Sequence, residues 1–187
     1  MCGRYFFDEN IAMEQYHRLL ERKYDQTVLD LWSTGEIYPG SVDLVLTAGM
    51  EPELMRWGMN LFSRKIINSR LESIRDKEYY QDMFRLSRCV IPASGFYEWD
   101  SQKGKHYIHT TDPVIYLAGI YQQDQDLPSY TVITRPATFT AHIHDRSPVI
   151  MNRQQADEYL QKPSIDKLLS YDPAITVESE QLQLDLW

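Results

Sequence analysis

The alternation of hydrophobic and polar residues along the chain predicts a strand-rich protein. Short segments that are apolar, or that alternate with period two between polar turns, are typical of strands. They occur at residues 43–48, 54–57, 89–91, 96–99, 106–109, 114–121, 130–134, 148–151 and 175–177. The turn sequence Ser-Gln-Lys-Gly at residues 101–104 separates two of these segments and predicts a hairpin.

Two helices are expected in the first half of the chain. Apolar residues spaced three and four apart predict an amphipathic helix over 10–24, and these residues are Met13, Tyr16, Leu20 and Tyr24. Ser73, followed three residues later by Asp76, resembles a capping box. We therefore expect a second helix over 74–84.

Two more helices are expected near the end of the chain. Asn152 and Gln155 begin one helix, which Pro163 ends because proline cannot continue a helix. A short helix over 165–169 follows. No internal repeat, low-complexity segment or linker divides the sequence, so we predict a single strand-rich α+β domain over residues 1–187.

Length and composition exclude several classes of protein. The chain has 187 residues, of which 43% are hydrophobic and 25% charged, as in an ordinary globular domain. These values exclude wholesale disorder and a collagen-like fibre. No apolar run approaches the roughly 20 residues that cross a bilayer, and the start lacks the features of a secretory signal. We therefore expect a cytoplasmic protein without a membrane partner.

The charge of the chain is unevenly distributed. The net charge of −8 argues against a nucleic-acid partner. Residues 56–90, however, contain eight basic and four acidic side chains, whereas residues 154–187 contain two basic and seven acidic ones. A local positive field is what attracts a polyanion. An ordinary solvated surface is the alternative, and charge alone does not decide between them.

Neither cysteine has the spacing of a metal ligand. The chain has two, Cys2 and Cys89, and contains no Cys-x-x-Cys pair. A disulfide is not expected in the cytoplasm. Cys89 lies in an apolar run, which predicts a buried small hydrophobic residue. We expect neither a metal nor another cofactor.

Cys2 directly follows the initiator methionine and has distinctive chemistry if Met1 is removed. The chain then starts with an α-amine of pKa about 7.7–8.0 and a thiol of pKa about 8.5 on adjacent carbons. The amine can form a Schiff base with an aldehyde, and the thiol can then close a five-membered thiazolidine ring. The alternative is a second-position cysteine without a role.

Three polar clusters add candidates for catalysis. Asn68 lies in a polar segment over 68–73. The alternative interpretation of this segment is a polar loop with an asparagine turn and no catalytic role. Glu98 is flanked by aromatic residues on the same strand face as Phe96, where it is either functional or exposed to solvent. His144 and its neighbour His142 lie at a strand end, where a histidine is either catalytic or structural. Together with Cys2, these residues suggest a thiol enzyme or an aldehyde-trapping protein with a basic groove.

Five segments, in order along nearly the whole chain, resemble the SRAP family, named for SOS response-associated peptidase. They are residues 1–4 (Met-Cys-Gly-Arg), 57–58 (Trp-Gly), 68–73 (Asn-Ser-Arg-Leu-Glu-Ser), 91–99 (Ile-Pro-Ala-Ser-Gly-Phe-Tyr-Glu-Trp) and 144–149 (His-Asp-Arg-Ser-Pro-Val). Ser69 and Ser73 replace the alanine and threonine usual in the family. The resemblance implies a β-barrel or sheet core with peripheral helices and a positively charged groove.

The resemblance also implies a function and a catalytic set. Family members sense abasic sites in single-stranded DNA and cap them as a thiazolidine DNA–protein crosslink, which protects the lesion during the DNA damage response. Cys2 is then the nucleophile after self-processing removes Met1, and Asn68 positions the N-terminus and the opened sugar. Glu98 interacts with the α-amine and helps proton transfer, and His144 is the general acid and base. A general protease is not implied.

The implied partner is single-stranded DNA that contains abasic sites, bound by a monomer. Arginines are expected to hold phosphates through charge-assisted hydrogen bonds. The loop after Gly58 is short, so Leu61 or Phe62 is expected to stack against bases. The expected DNA-binding residues are Arg4, Trp57, Phe62, Arg70, Arg75 and Arg85.

Two alternatives remain open from the sequence. One is a thiol autopeptidase that uses Cys2, Glu98 and His144. The other is a single-stranded DNA binder that forms no covalent bond.

Overall fold

The computed structural model describes residues 2–179, which contain fifteen strands and six α-helices. The strands are β1 (Arg4–Phe7), β2 (Gly35–Ile37), β3 (Val42–Leu46), β4 (Pro52–Trp57), β5 (Met59–Leu61), β6 (Arg64–Ile66), β7 (Asn68–Arg70), β8 (Arg88–Ala93), β9 (Gly95–Trp99), β10 (Lys105–His109), β11 (Ile115–Gln122), β12 (Ser129–Pro136), β13 (Arg146–Pro148), β14 (Ile150–Met151) and β15 (Thr176–Ser179). The helices are α1 (Glu9–Glu21), α2 (Gln26–Leu29), α3 (Leu71–Asp76), α4 (Glu78–Leu86), α5 (Arg153–Gln161) and α6 (Ile165–Ser170). Within residues 2–179, no helix has both the length and the apolar character to cross a membrane.

Five strands close into a barrel in the order β12, β4, β3, β8 and β11, and β11 pairs again with β12. All neighbours are antiparallel except β12 and β4, where Ser129 lies opposite Arg56. Every residue of β3, and every residue of β12 except the last, is buried. The predicted α+β architecture, with a barrel core and peripheral helices, is confirmed.

A second, antiparallel sheet packs against the barrel in the order β15, β10, β9, β1 and β2. Alternate residues of its strands point inward. Tyr5, Phe7 and Phe96 thereby join the hydrophobic core that the barrel strands line. The predicted hairpin between β9 and β10 is confirmed, and the Asp100 carboxylate accepts backbone hydrogen bonds within its turn.

The segment 146–151 fills a gap between two barrel strands. β11 and β12 pair only between Gly119–Gln122 and Ser129–Val132, and their other halves separate. β13 pairs with the free half of β12, and β14 then pairs with the free half of β11. The single strand predicted over 148–151 is therefore wrong, because the chain changes partner at Val149.

Helix α1 buries a stripe of residues spaced four apart. Ala12, Tyr16 and Leu20 are buried, whereas Met13 is 41% exposed. The prediction of a helix is confirmed, but the placement of Met13 on its apolar face is wrong. The helix starts after Asp8, whose carboxylate accepts the backbone N–H groups of the first turn.

The single helix predicted over 74–84 is wrong, because the structure has two. Lys77 has an extended backbone, with φ −116° and ψ 120°, and separates α3 from α4. α3 packs on β7 and β12, whereas α4 packs on β8 and β11, so the chain bends between them. Ser73 lies inside α3 rather than capping it. By contrast, the helix start predicted at Asn152 and Gln155 is confirmed, and these two side chains form a capping box.

A buried polar network crosses the barrel interior. The Tyr130 hydroxyl donates to Asp43 Oδ2 at 2.9 Å, and the Tyr5 and Tyr130 hydroxyl oxygens are 3.0 Å apart. The indole of Trp57 packs on both tyrosine rings. Asp43 has no exposed surface, and its burial raises its pKa to about 7. A charged carboxylate is costly in such a place, so the folded state favours the protonated form.

We expect the substitution Asp43→Asn to remove a pH dependence of stability. A raised pKa in the folded state stabilises the protein below the unfolded pKa near 4, and this contribution disappears as the pH rises through about 7. Across that window the unmodified protein loses about 4 kcal/mol relative to the variant. Urea unfolding of both proteins at several pH values measures this difference. A constant difference between the two proteins would contradict the raised pKa.

Candidate active site

The first residues of the chain place Cys2 inside the protein. Cys2 has no exposed surface, and its Sγ lies 3.9 Å from the carbonyl oxygen of Arg4. In the pairing of β1 with β9, Arg4 lies opposite Tyr97. The residues before Arg4 therefore run beside the end of β9, which carries Glu98.

Strand β7 brings Asn68 to the backbone of Cys2. Asn68 Nδ2 donates to the carbonyl oxygen of Cys2 at 2.8 Å. The segment around Asn68, for which a loop was one interpretation, is a short strand parallel to β12, with Asn68 opposite Val132. Asn68 Oδ1 is buried and has no hydrogen-bond partner within residues 2–179. This oxygen is therefore available to accept a hydrogen bond from a ligand.

Glu98 is a buried carboxylate on the inner face of β9. It is 4% exposed and shares this face with buried Phe96, so the alternative of a solvent-facing Glu98 is wrong. One carboxylate oxygen accepts the backbone N–H of Trp99 at 3.4 Å. The negative charge of Glu98 lies near enough to Cys2 to raise the pKa of the thiol.

Burial and the charge of Glu98 raise the pKa of the Cys2 thiol to about 12. The thiol is therefore protonated at neutral pH. Because the thiolate is the nucleophilic form, attack by Cys2 requires a neighbouring group that takes its proton. Cys89, which is also a free and buried cysteine, is the small core residue that the sequence predicts.

Arg146 ties the segment of His144 to the segment of Asn68. Its guanidinium donates one hydrogen bond to each carboxylate oxygen of Glu72, both at 2.9 Å. It also donates to the carbonyl oxygen of Thr134 at 2.9 Å. Since Glu72 is the second residue after β7, this ion pair joins two distant parts of the sequence across β12.

His144 lies in the loop that leads into β13. Its Nδ1 accepts the backbone N–H of Arg146 at 3.0 Å and lies 2.8 Å from the Asp145 carboxylate. The first contact suits the neutral ring with its proton on Nε2, and the second suits the charged ring. The structure thus brings Cys2, Asn68 and Glu98 together. The ion pair of Arg146 with Glu72 links the segment of His144 to the segment of Asn68.

Arg4 borders this group on the outer side of the second sheet. Its guanidinium lies 4.5 Å from the Tyr38 ring and 4.9 Å from the Trp99 ring, between two cation–π partners. It also forms an ion pair with Glu36 at 3.3 Å. These contacts hold a partly exposed positive charge beside the N-terminal segment.

Phe62 is an exposed aromatic residue among the predicted DNA contacts. It is 73% exposed at the tip of the hairpin that β5 and β6 form. Phe62 and Ser63 have φ values of 49° and 61°, the geometry of a tight two-residue turn. The Phe62 and Tyr79 rings form a T-shaped contact, with their centroids 5.1 Å apart.

The remaining predicted arginines lie on the surface. Arg70 ends β7 and is exposed. Arg75 lies 3.7 Å from Asp166, and Arg85 lies 2.7 Å from Asp82. Exposed ion pairs of this kind are weak, so a polyanion can displace the carboxylates. The DNA contacts of these arginines stay predictions.

The prediction that Trp57 contacts DNA is wrong. Trp57 has no exposed surface, so no base can stack on it. Its ring lies 5.3 Å from that of Tyr5 and 6.3 Å from that of Tyr130, and its Nε1 donates to the carbonyl oxygen of Ile67 at 2.9 Å. Trp57 is therefore a core residue.

Sequence reasoning missed two kinds of site residue. Glu72 and Arg146 lie within recognised segments, but nothing in the sequence shows that they pair with each other. Asp43 is an acidic residue in the apolar run Val-Asp-Leu-Val-Leu, which is a signal of a buried polar group. In the described part of the chain, no cluster of three or more histidine, cysteine or acidic side chains could hold a metal ion.

A protein-family model described as SOS response associated peptidase (SRAP) matches residues 1–184. This chain belongs to the SRAP family. The match spans the four segments that carry Cys2, Asn68, Glu98 and His144. The resemblance that the sequence motifs indicate is therefore confirmed.

Relatives of this SRAP chain include two proteins of Bacillus subtilis (strain 168). The abasic site processing protein YoaM is 32% identical over 57% of this chain, and the match spans 55% of YoaM. The abasic site processing protein YobE is 30% identical over 92% of this chain and 90% of YobE. A crystal structure of a protein from Bacteroides thetaiotaomicron has a TM-score of 0.73 at 19% identity, covering 95% of this chain and 91% of that one. This last similarity shows that the SRAP chain shares its fold.

We expect Glu72→Ala to destabilise the protein by about 1–3 kcal/mol, because it leaves the 8% exposed Arg146 without its carboxylate. The control Asp82→Ala removes the exposed partner of Arg85 and changes stability by less than about 0.5 kcal/mol. Arg146 lowers the pKa of Glu72, so the contribution is present above pH 4.5 and lost as the pH falls. Urea unfolding measures the free energy of unfolding of both variants. Equal losses of stability in the two variants would contradict a larger contribution from the buried ion pair.

Proposed function

We propose that this protein senses abasic sites in single-stranded DNA and caps them through a covalent thiazolidine crosslink to Cys2, after removal of Met1. The observation that carries the proposal is the grouping around Cys2. Asn68 holds the Cys2 carbonyl at 2.8 Å, and buried Glu98 acts on its thiol. The relatives named abasic site processing proteins support the same substrate.

The Asn68 contact suits an N-terminal nucleophile. It involves the carbonyl oxygen that belongs to Cys2 itself, so it does not depend on the preceding residue. Loss of Met1 therefore leaves Cys2 anchored while its nitrogen becomes an α-amine. Cleavage of the Met1–Cys2 bond by the same site is the self-processing step of the proposal.

The crosslinking chemistry balances with the loss of one water molecule. An abasic sugar in its ring-opened form presents an aldehyde. The α-amine of Cys2 adds to the aldehyde carbon, and water leaves as the imine forms. The thiol then adds to the imine carbon, its proton is transferred away, and the nitrogen is protonated as the ring closes.

The neighbouring side chains suit the proton transfers of these steps. Glu98 lies beside Cys2 and can accept a proton from the α-ammonium, which frees the amine for attack. Asn68 Oδ1, which is buried without a hydrogen-bond partner within residues 2–179, is the proposed acceptor for a hydroxyl of the opened sugar. His144 is the proposed acid that opens the sugar ring and assists reversal, and the Asp145 carboxylate 2.8 Å from its Nδ1 suits the charged ring, which can donate a proton.

The DNA is proposed to cross the surface that borders the N-terminal segment. Arg4 and Arg70 contact phosphates on this surface, and Arg75 and Arg85 extend the positive field. Phe62 stacks on a base, because its ring is exposed at the tip of the hairpin that β5 and β6 form. One chain supplies all of these groups, so a monomer is sufficient.

We expect Cys2→Ala to abolish the covalent product with a single-stranded oligonucleotide that carries one abasic site. The unmodified protein gains the mass of the oligonucleotide less one water and shows the loss of Met1. Cys89→Ala is the matched control and retains the crosslink, because Cys89 is a buried residue of β8 whose Sγ lies beside Gly119 of β11. Intact-mass spectrometry measures all three proteins.

Other outcomes of that experiment favour other functions. DNA binding that survives in Cys2→Ala, with no adduct in the unmodified protein, would indicate a non-covalent binder. Loss of Met1 with turnover of an unrelated peptide, and no adduct, would indicate a thiol peptidase.

We expect Arg70→Ala to weaken binding to single-stranded DNA and to reduce its salt dependence. Loss of one phosphate contact lowers the slope of log affinity against log salt by about 0.7. Arg18→Ala, which removes an exposed arginine on α1, is the control and leaves the slope unchanged. Fluorescence anisotropy across a salt series measures both, and an unchanged slope for Arg70→Ala would remove Arg70 from the contact set.

A further inference from the structure

Strand β15 is an edge strand that the proposed active site does not use. Within residues 2–179 its partner is β10, at one end of the second sheet. Three of its four residues are exposed, and Val177 is only partly buried. Because so little apolar surface is buried, hydrophobic contacts hold this strand weakly. The polar side chains that join β15 to β10 therefore have a large share in keeping it in place.

Two histidines of β10 contact β15, one on each face of the second sheet. His106 lies opposite Ser179, and its Nδ1 is 2.8 Å from Ser179 Oγ. His106 is on the same face as buried Ile108, two residues along the strand. His109 is on the other face, where its Nε2 is 3.0 Å from Glu178 Oε1. Each side of β15 thus has one histidine contact.

The contacts of His109 require a proton on both ring nitrogens. Its Nδ1 is 3.0 Å from the carbonyl oxygen of Thr110, and its Nε2 is 3.0 Å from the Glu178 carboxylate. A carbonyl oxygen and a carboxylate only accept hydrogen bonds, so each nitrogen has to donate. Only the charged imidazolium donates from both nitrogens. When His109 loses a proton, one of these contacts becomes a repulsion between two lone pairs, and the charge attraction to Glu178 is lost.

The contacts of His106 are satisfied in either protonation state. Its Nε2 is 3.0 Å from the Asp100 carboxylate, so this nitrogen carries a proton. Its Nδ1 faces the Ser179 hydroxyl, which donates to a neutral ring and accepts from a charged one. The two histidines that hold β15 therefore differ. The contacts of His109 depend on its charge, whereas those of His106 do not.

We infer that the ion pair of His109 with Glu178 is a pH-sensitive latch that holds β15 on β10. A histidine changes its charge between about pH 5 and pH 8. At the acidic end of this range the charged ring holds Glu178, and β15 stays paired. At the alkaline end the ring is neutral, and β15 detaches from β10 more often. This inference concerns the edge of the second sheet and does not depend on the proposed function.

The titratable groups that contact His109 come from two strands. Glu178 lies on β15, and the Tyr107 ring of β10 stacks on the His109 ring with their centroids 5.1 Å apart. On the neighbouring strand β9, Tyr97 lies opposite Tyr107, with the two ring centroids also 5.1 Å apart. Burial raises the pKa of Tyr107 to about 12, so this hydroxyl stays neutral across the range. The pair of His109 with Glu178 is left to carry the pH dependence.

Opening of the latch changes which strand forms the edge of the second sheet. When β15 detaches, the backbone N–H and C=O groups of β10 that face it become exposed to water. Strand β9, which carries Glu98, keeps its pairing with β10 on one side and with β1 on the other. Amide exchange in β15 and along the outer edge of β10 therefore reports the latch.

Hydrogen–deuterium exchange of the whole chain tests the latch. We expect protection of the β15 amides, corrected for the intrinsic effect of pH on exchange, to fall about 3-fold between about pH 5.5 and pH 8. His109→Arg keeps a positive charge and several donors, so β15 stays protected at both pH values. His109→Leu removes the contact with Glu178 and gives the lower protection at both. Peptides of β3, which is buried in the barrel, report any change in global stability.

His17→Leu is the matched control. His17 forms an ion pair with Glu21 at 3.4 Å on α1. We expect this variant to keep the pH profile that β15 has in the unmodified protein. Equal protection of β15 at both pH values in the unmodified protein would overturn the inference, and so would the same pH-dependent loss in His109→Arg. Since the test uses no DNA, failure of the crosslink contradicts the proposed function and leaves the latch in place.

Discussion

The site depends on the hydrogen bonding of β12 along both of its edges. One edge pairs with β4 and then with β7, which presents Asn68 to the backbone of Cys2. The other edge pairs with β11 and then with β13, which follows His144. A strand of eight residues thus sets the distance between two functional segments. It also carries Tyr130 into the barrel interior, so the core and the site share one element.

Buried charge shapes the chemistry around this strand. Arg146 is buried, and its guanidinium donates hydrogen bonds to the Glu72 carboxylate and to a backbone carbonyl oxygen. These hydrogen bonds fix the position of β13 relative to α3. Cys2 and Asp43 are buried with fewer compensating contacts, and burial raises the pKa of each. The raised pKa favours the protonated, neutral form of each side chain. The structure therefore combines a charged pair that orients two segments with buried acids that favour their neutral forms.

The sequence predicts the elements with strong local signals. The helix start at Asn152 and the hairpin after β9 follow from a few adjacent residues, and both are confirmed. The break at Lys77 has no local signal, because it arises where two helices pack on different strands. The strand at Asn68 is similarly invisible, since only its pairing with β12 makes three polar residues extended. Family motifs indicated the candidate catalytic residues, but exposure could not be read from them, as the buried Trp57 demonstrates.

The pairing of β1 with β9 has a consequence for the order of events during synthesis. Tyr5 lies opposite Phe96, so the enclosure of Cys2 requires a partner that is made about ninety residues later. At translation speeds of about 5–20 residues per second, the start of the nascent chain stays unpaired for several seconds. The site around Cys2 therefore forms only after β9 has been made, and its chemistry starts after that point.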